Sequence, residues 1–210
     1  MITMKVKLTT TDGLLGTSPF NEEIYRDFIG SKAPDAATVE EEVAALGVDS
    51  VTEKGMTGFP RDDQGRPFLK AYQIKGFFKD ACSMLAKVAG KDPETGKKRL
   101  TNESSKLTAY KKVIDGTIFV TPDQIPIEFD GDMQICERPL RAQTLQGERV
   151  ALASSEEVPA GATLTFSILC LDDNHVAAVR EWLNYGELRG LGQWRNSGKG
   201  RFTWEELELS

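Results

Sequence analysis

The stretch DDNHVAAVREWLNYGELRGLGQWRNSGKGRFTWEELEL, residues 172–209, changes its pattern twice. Val176, Val179, Trp182 and Leu183 recur at helical spacing behind Asp173 or Asn174, either of which can cap a helix. The residues from Arg189 to Phe202 then hold four glycines (Gly190, Gly192, Gly198, Gly200), four cations (Arg189, Arg195, Lys199, Arg201), Trp194 and no acid. RFTWEELEL returns as a strand. Helix, glycine-rich loop, strand is the reverse of the order a dinucleotide-binding turn requires. A phosphate-binding P-loop fails as well, because Gly192 and Gly198 are spaced wrongly, Gly200 stands where Ser or Thr is needed, and no helix follows. Two readings stay open: a glycine-rich turn, or a loop whose glycines leave amides uncovered and let another backbone approach. Cations interleaved with Trp194 suit a phosphodiester chain with stacking bases.

Working outward, MITMKVKLTT alternates Ile2, Met4, Val6 and Leu8 with polar residues and predicts a first strand. After a DDQGRP turn, Ile74, Phe77, Phe78, Ala81, Leu85 and Val88 predict a helix that stops at Gly90, with Lys75 and Lys79 one turn apart on one face. From residue 117 the pattern turns to strands. Leu164, Phe166 and Ile168 alternate with Thr163, Thr165 and Ser167 after a turn at Pro159, Ala160 and Gly161. This order predicts an α+β fold: a ferredoxin-like (RRM-like) antiparallel sheet with helices on one face. The expected organisation is one domain over 1–210. It carries an inserted helical lobe at about 20–55 and a mobile basic loop or thumb at about 90–115. In RNA-recognition folds the free face of such a sheet is where single-stranded nucleic acid lies.

A net charge of −6 argues against nucleic-acid binding on average, but the charge is unevenly placed. Residues 1–60 carry −5, residues 61–115 carry +6 and residues 116–210 carry −7. Positive charge therefore concentrates in the middle of the chain and in the glycine-rich loop. No apolar run reaches the roughly 20 residues of a membrane span, and the first residues lack a signal-peptide core, so no membrane partner and a cytoplasmic location are expected. Cys82, Cys136 and Cys170 lie far apart and predict thiols, not a disulfide framework. Neither a metal nor a cofactor is expected. Glu40, Glu41 and Glu42 predict a solvated helix face.

The loop LRGLGQWRNSGKGRF behind VAAVREWLNYGE resembles the C-terminal glycine-rich loop of the RAMP superfamily, the RNA-binding proteins of CRISPR systems. KLTTTDGLLGTSP resembles that family's first strand and turn, GRPFLKAYQIKGFFKDAC its first helix with Lys75-Gly76, and EEVPAGATLTFSILCL its turn and strand before the second helix. Where the family carries small hydroxyl residues beside the Lys-Gly pair, this chain has Ala71, Tyr72 and Gln73. The resemblance implies a non-catalytic subunit that binds a guide-like single-stranded RNA and assembles along it, alone or with other CRISPR-type subunits. Lys75, Lys79, Arg189, Arg195, Lys199 and Arg201 would contact phosphates. Gly76 and the four loop glycines would permit close approach, and Tyr72 or Trp194 would stack.

Some relatives cleave RNA. The sole imidazole, His175, is the weak candidate for a metal-independent endoribonuclease, and Asp12 and Asp35 lie where an RNA-cleaving Asp could sit. A third reading is a phage accessory or inhibitor that mimics such a subunit and docks on protein.

Overall fold

The computed structural model describes residues 1–19, 56–88, 90, 95–96, 100–144 and 147–209, with the side chains of 140–152 left aside. The expected lobe at 20–55 lies outside the described residues. Strand β1 (Ile2–Thr10) forms where the alternation predicted it: Met4, Val6 and Leu8 are buried, while Lys5 points outward. It pairs antiparallel with β10 (Thr163–Cys170) on one side and β11 (Phe202–Leu209) on the other, and β10 pairs antiparallel with β6 (Ile118–Thr121). The resulting four-stranded order is β11-β1-β10-β6.

Helix α1 (Ala71–Val88) connects the first strand region to β6, and helix α4 (His175–Arg189) connects β10 to β11. Both put their apolar stripes on the side of the sheet that carries Leu164, Phe166 and Ile168. Phe77 meets Phe202 edge-on at 5.5 Å, and Phe78 lies 5.4 Å from Trp182. Val88 departs from the expected stripe and is exposed; Gly90, with φ +68°, bonds back to Lys87 as a stop. At the start of α4, Asp172 does the capping expected of Asp173 or Asn174. Its carboxylate accepts the Asn174 backbone N–H at 3.0 Å, and its carbonyl accepts that of His175.

A second sheet is built on β9 (Gly147–Val158), which forms a long antiparallel hairpin with β8 (Gln134–Thr144). At its root β9 also pairs with β2 (Leu14–Leu15) and with β4 (Thr57–Gly58), which in turn pairs with β3 (Ser18–Pro19). A short ribbon of β5 (Phe68–Lys70) and β7 (Gln124–Pro126) leads into α1.

The expected mobile basic arm is overturned from residue 102 onward. Residues 103–117 form two helices, α2 (Glu103–Lys106) and α3 (Tyr110–Thr117), docked against the core. Helix α3 docks through Ile114, buried in the apolar core, whereas α2 docks through polar groups. The Glu181 carboxylate accepts the Ser104 backbone N–H at 2.8 Å and its hydroxyl at 2.6 Å, while Trp182 Nε1 donates to the same Ser104 Oγ at 2.9 Å. Ser104 and Ser105 are consequently buried.

The three cysteines are all thiols. No helix among the described residues is long and apolar enough to cross a membrane.

The helix–sheet spacing rests on Gly186 of α4, where an added Cβ would fall 2.0 Å from the Phe202 ring. Gly186→Ala should therefore lower unfolding stability by about 1–3 kcal/mol, the usual range for overpacking. Urea denaturation followed by Trp emission measures this.

Candidate nucleic-acid interface

The glycine-rich loop folds back on itself, and its glycines serve that closure first. Leu191 donates to Gly200 O at 2.8 Å and Gly200 donates to Gly13 O at 2.9 Å, so the loop is stitched both across its neck and to the turn after β1. A Cβ on Gly200 would lie 2.0 Å from Leu191 O, and one on Gly190 would lie 2.6 Å from Lys199 O. Both residues have positive φ, +72° and +73°. Gly190 and Gly198 also spend their amides inside the fold, on Gly186 O and Arg195 O. The expectation of uncovered amides is thus corrected at Gly190, Gly198 and Gly200, where the close approach is between the loop's own strands. Gly192 is pressed in the same way against Leu15 O. Gly76 differs: in mid-helix, its Cβ direction is empty to 4 Å.

Between the loop and the first two turns of α1 lies a cleft of about 280 Å³, lined by Thr17, Tyr72, Gln73, Gly76, Phe77, Leu191, Gly192 and Arg195. Gln73 organises its floor. Its carbonyl accepts the Lys70 backbone N–H just before α1 at 2.8 Å, as the third residue of a capped helix does, and its amide donates to Thr17 Oγ1 at 2.6 Å. Tyr72 is 62% exposed on the rim.

Trp194 is 40% exposed and held at φ +53°, a left-handed conformation that costs a bulky side chain roughly 1–2 kcal/mol. Such strain in an exposed aromatic marks a position held by its surroundings. Two neighbours hold it: the Arg138 guanidinium lies 5.6 Å from the Trp194 ring centroid, and Gln193 bonds to Gly16 O at 3.0 Å and Thr57 Oγ1 at 3.1 Å.

The predicted cations do not converge on one surface. Arg189 Nε and Arg195 Nη1 both reach the same oxygen of Asp80, each at 2.8 Å. Lys79 pairs with Asp115 at 2.6 Å on the other flank of α1, where Lys75 donates to the Asp115 carbonyl and lies 5.2 Å from the Phe119 ring centroid. Lys199 bonds to Glu157 at 2.5 Å at the hairpin root. Arg201 is exposed and has no carboxylate partner among the described residues. Five of the six expected phosphate contacts are therefore engaged internally by three acids distant in sequence, Asp80 and Asp115 each shared by two cations and Glu157 taken by one.

The outer face of the four-stranded sheet is exposed or half-buried, and its charge is balanced too. Lys7 pairs with Glu205 at 3.5 Å, and Lys5 stands opposite Glu208 in register. His175 sits at the opposite end of α4 from the loop, about 21 Å away at 1.5 Å per residue, with Nδ1 3.2 Å from Thr117 Oγ1. Asp12 lies beside the loop's anchor at Gly13, bonded to Thr11 Oγ1; Asp35 lies outside the described residues. Arg138, Gln73 and Gln193 were not singled out by sequence reasoning, and no pattern marks them.

No family model matches the chain, and no curated protein matches it either. Among solved structures, a chain in the cryo-EM structure of the type III-B Cmr-beta bound to cognate target RNA is similar in fold, with a TM-score of 0.51 and 13% identity. The similarity covers 99% of this chain and 60% of that one, so this chain spans less than two thirds of the neighbour's length.

Burial acts to raise the Asp80 carboxyl, but hydrogen bonds and positive charge from Arg189 and Arg195 outweigh it and hold Asp80 below the usual carboxylate range. With the folded value depressed, the stabilisation is complete above the unfolded value near pH 4 and is lost as pH falls through the folded value. The loop should detach from α1 below about pH 4, a transition that Asp80→Asn removes and Trp194 emission reports.

Gly200→Ala should disrupt the loop. Gly76→Ala should raise the stability of the unliganded protein by about 0.5–1 kcal/mol through helix propensity, measured by thermal unfolding.

Proposed function

We propose that the chain is a non-catalytic, cytoplasmic RNA-binding subunit of RAMP type that holds a guide-like single strand and assembles side by side along it within a CRISPR-type complex. The β-α-β-β-α-β order with strands arranged β11-β1-β10-β6 supports reading its core as ferredoxin-like. The observation that carries the functional reading is the pinned glycine-rich loop, which walls a cleft against α1: Tyr72 of α1 stands exposed on the cleft's rim, and the loop itself carries the exposed Trp194. Aromatic faces beside a groove accept successive bases with little regard to sequence. The fold likeness to a chain of an RNA-bound Cmr assembly supports RNA and other subunits as partners. The balanced charge of the outer sheet face directs the proposed strand path to the cleft and hairpin root, away from the sheet surface.

A second reading, docking on a protein partner as an accessory or inhibitor, draws on the same ion pairs, in which three acids engage five of the six expected phosphate contacts. Copurification separates the two. Single-stranded RNA recovered with the purified protein supports binding; a stable protein complex without RNA supports docking.

In fluorescence anisotropy with a labelled single-stranded oligoribonucleotide, Tyr72→Ala should weaken binding by roughly 1–3 kcal/mol, the cost of losing one stacked base. Arg201→Glu should reduce the magnitude of the slope of log K against log salt by about 0.7. Unchanged affinity in both variants rejects the cleft as the RNA path.

A further inference from the structure

Arg138, on the hairpin strand β8, is 6% exposed, yet no carboxylate faces its guanidinium among the described residues. Its Nη1 donates to Ser155 Oγ at 3.1 Å, its Nη2 donates to Gln193 Oε1, and its face covers Trp194. All three are neutral. The acid on the same hairpin face, Glu157, stands two residues beyond Ser155, the residue the guanidinium reaches, or about 7 Å along the strand. Glu157 is also occupied by Lys199. Glu156, which alternates to the other face, is taken by Arg61 at 2.6 Å and by the Phe59 amide at 2.9 Å.

A buried guanidinium offers five N–H donors and is rarely left without an anion, because removing a charge from water is costly unless an opposite charge compensates it. Two of those donors are used here. Of the remaining N–H groups the one on Nε is not sealed: Nε has no hydrogen-bond partner among the described residues, yet Ser154 Oγ is the side-chain atom among them that is both fully buried and unpartnered. Among the described residues Arg138 thus has no carboxylate partner; it holds its Nε–H open to solvent and stacks on the strained, exposed Trp194.

We propose that Arg138 is a phosphate-binding residue at the root of the β8–β9 hairpin, seating one backbone phosphate whose neighbouring base lies on the outer face of Trp194. The proposal rests on the RNA reading for the identity of the strand, and on Arg138's own surroundings for the anion. Arg189, Arg195, Lys75, Lys79 and Lys199 must first release a carboxylate partner; among the described residues Arg138 has none to release.

The test uses the full chain in two arms. In the first, thermal unfolding is compared in inorganic phosphate and in chloride at equal ionic strength. Phosphate should raise the midpoint of the unvaried protein and of Arg138→Lys, and fail to raise that of Arg138→Gln. Equal stabilisation of Arg138→Gln overturns the proposal. In the second arm, single-stranded oligoribonucleotide affinity is measured against salt. Arg138→Gln should bind about tenfold more weakly, with a slope smaller by about 0.7.

Arg138→Lys should keep the slope while losing affinity, because it retains the charge without the fork. RNA binding by Arg138→Gln with unchanged affinity and slope overturns the role of Arg138 and leaves the RNA reading standing. Absence of RNA binding by the unvaried protein, with phosphate stabilisation still dependent on Arg138, supports the anion seat and removes the RNA reading. Should Arg138→Gln fail to fold, Arg138→Lys decides: an affinity and slope both equal to the unvaried protein's overturn the forked contact.

Discussion

A single carboxylate oxygen sets the geometry of the candidate interface. Asp80 projects from α1 and receives one guanidinium from the end of α4 and another from the 3₁₀ turn inside the glycine-rich loop. It therefore fixes the entry and the middle turn of the loop to the helix. With the loop held there, Gly192 lies against Leu15, Gln193 reaches Gly16 and Thr57, and Trp194 comes under Arg138. The cleft is the space left between the pinned loop and the capped start of α1. A hydrogen bond to a charged group contributes more than a neutral one, and two such bonds converge on Asp80.

The same arrangement explains how an acidic protein can carry a cationic loop. Each predicted cation except Arg201 has been given an acid from another element, so the loop is folded by its charges before it can present them. Charge that is already balanced favours structure over ligand. Charge enclosed by neutral groups, as at Arg138, has the opposite character.

Much of the fold was legible because it obeys two periods. Met4, Val6 and Leu8 in β1, and Leu164, Phe166 and Ile168 in β10, alternate as strands half-buried on one face must; Ile74, Phe77, Phe78 and Ala81 repeat as one helical stripe. Residues 103–117 escaped for a physical reason. Ser104 and Ser105 are buried by hydrogen bonds to Glu181, Trp182 and Asn102, and the apolar contacts of the segment come from Leu107, Tyr110 and Ile114, too few to set up a readable period. The glycine-rich loop announced itself by composition, but its ion pairs did not, since Asp80, Asp115 and Glu157 are brought in by tertiary packing. Arg138 was invisible for the same reason. In sequence it is one charge in a strand of mixed polarity, and only the loop arriving from residue 193 encloses it.

The central strand has one further consequence, for synthesis. Among the described residues β1 finds its strand neighbours in residues 163–170 and 202–209, so it leaves the ribosome well before either partner. Until those distant strands arrive, a strand of alternating apolar residues has both edges open, the condition under which nascent chains associate wrongly. Closing so long a loop also makes ordering of the sheet slow relative to α1 and α4, whose contacts are local. The helices of this chain are therefore expected to gain structure before the sheet they cover.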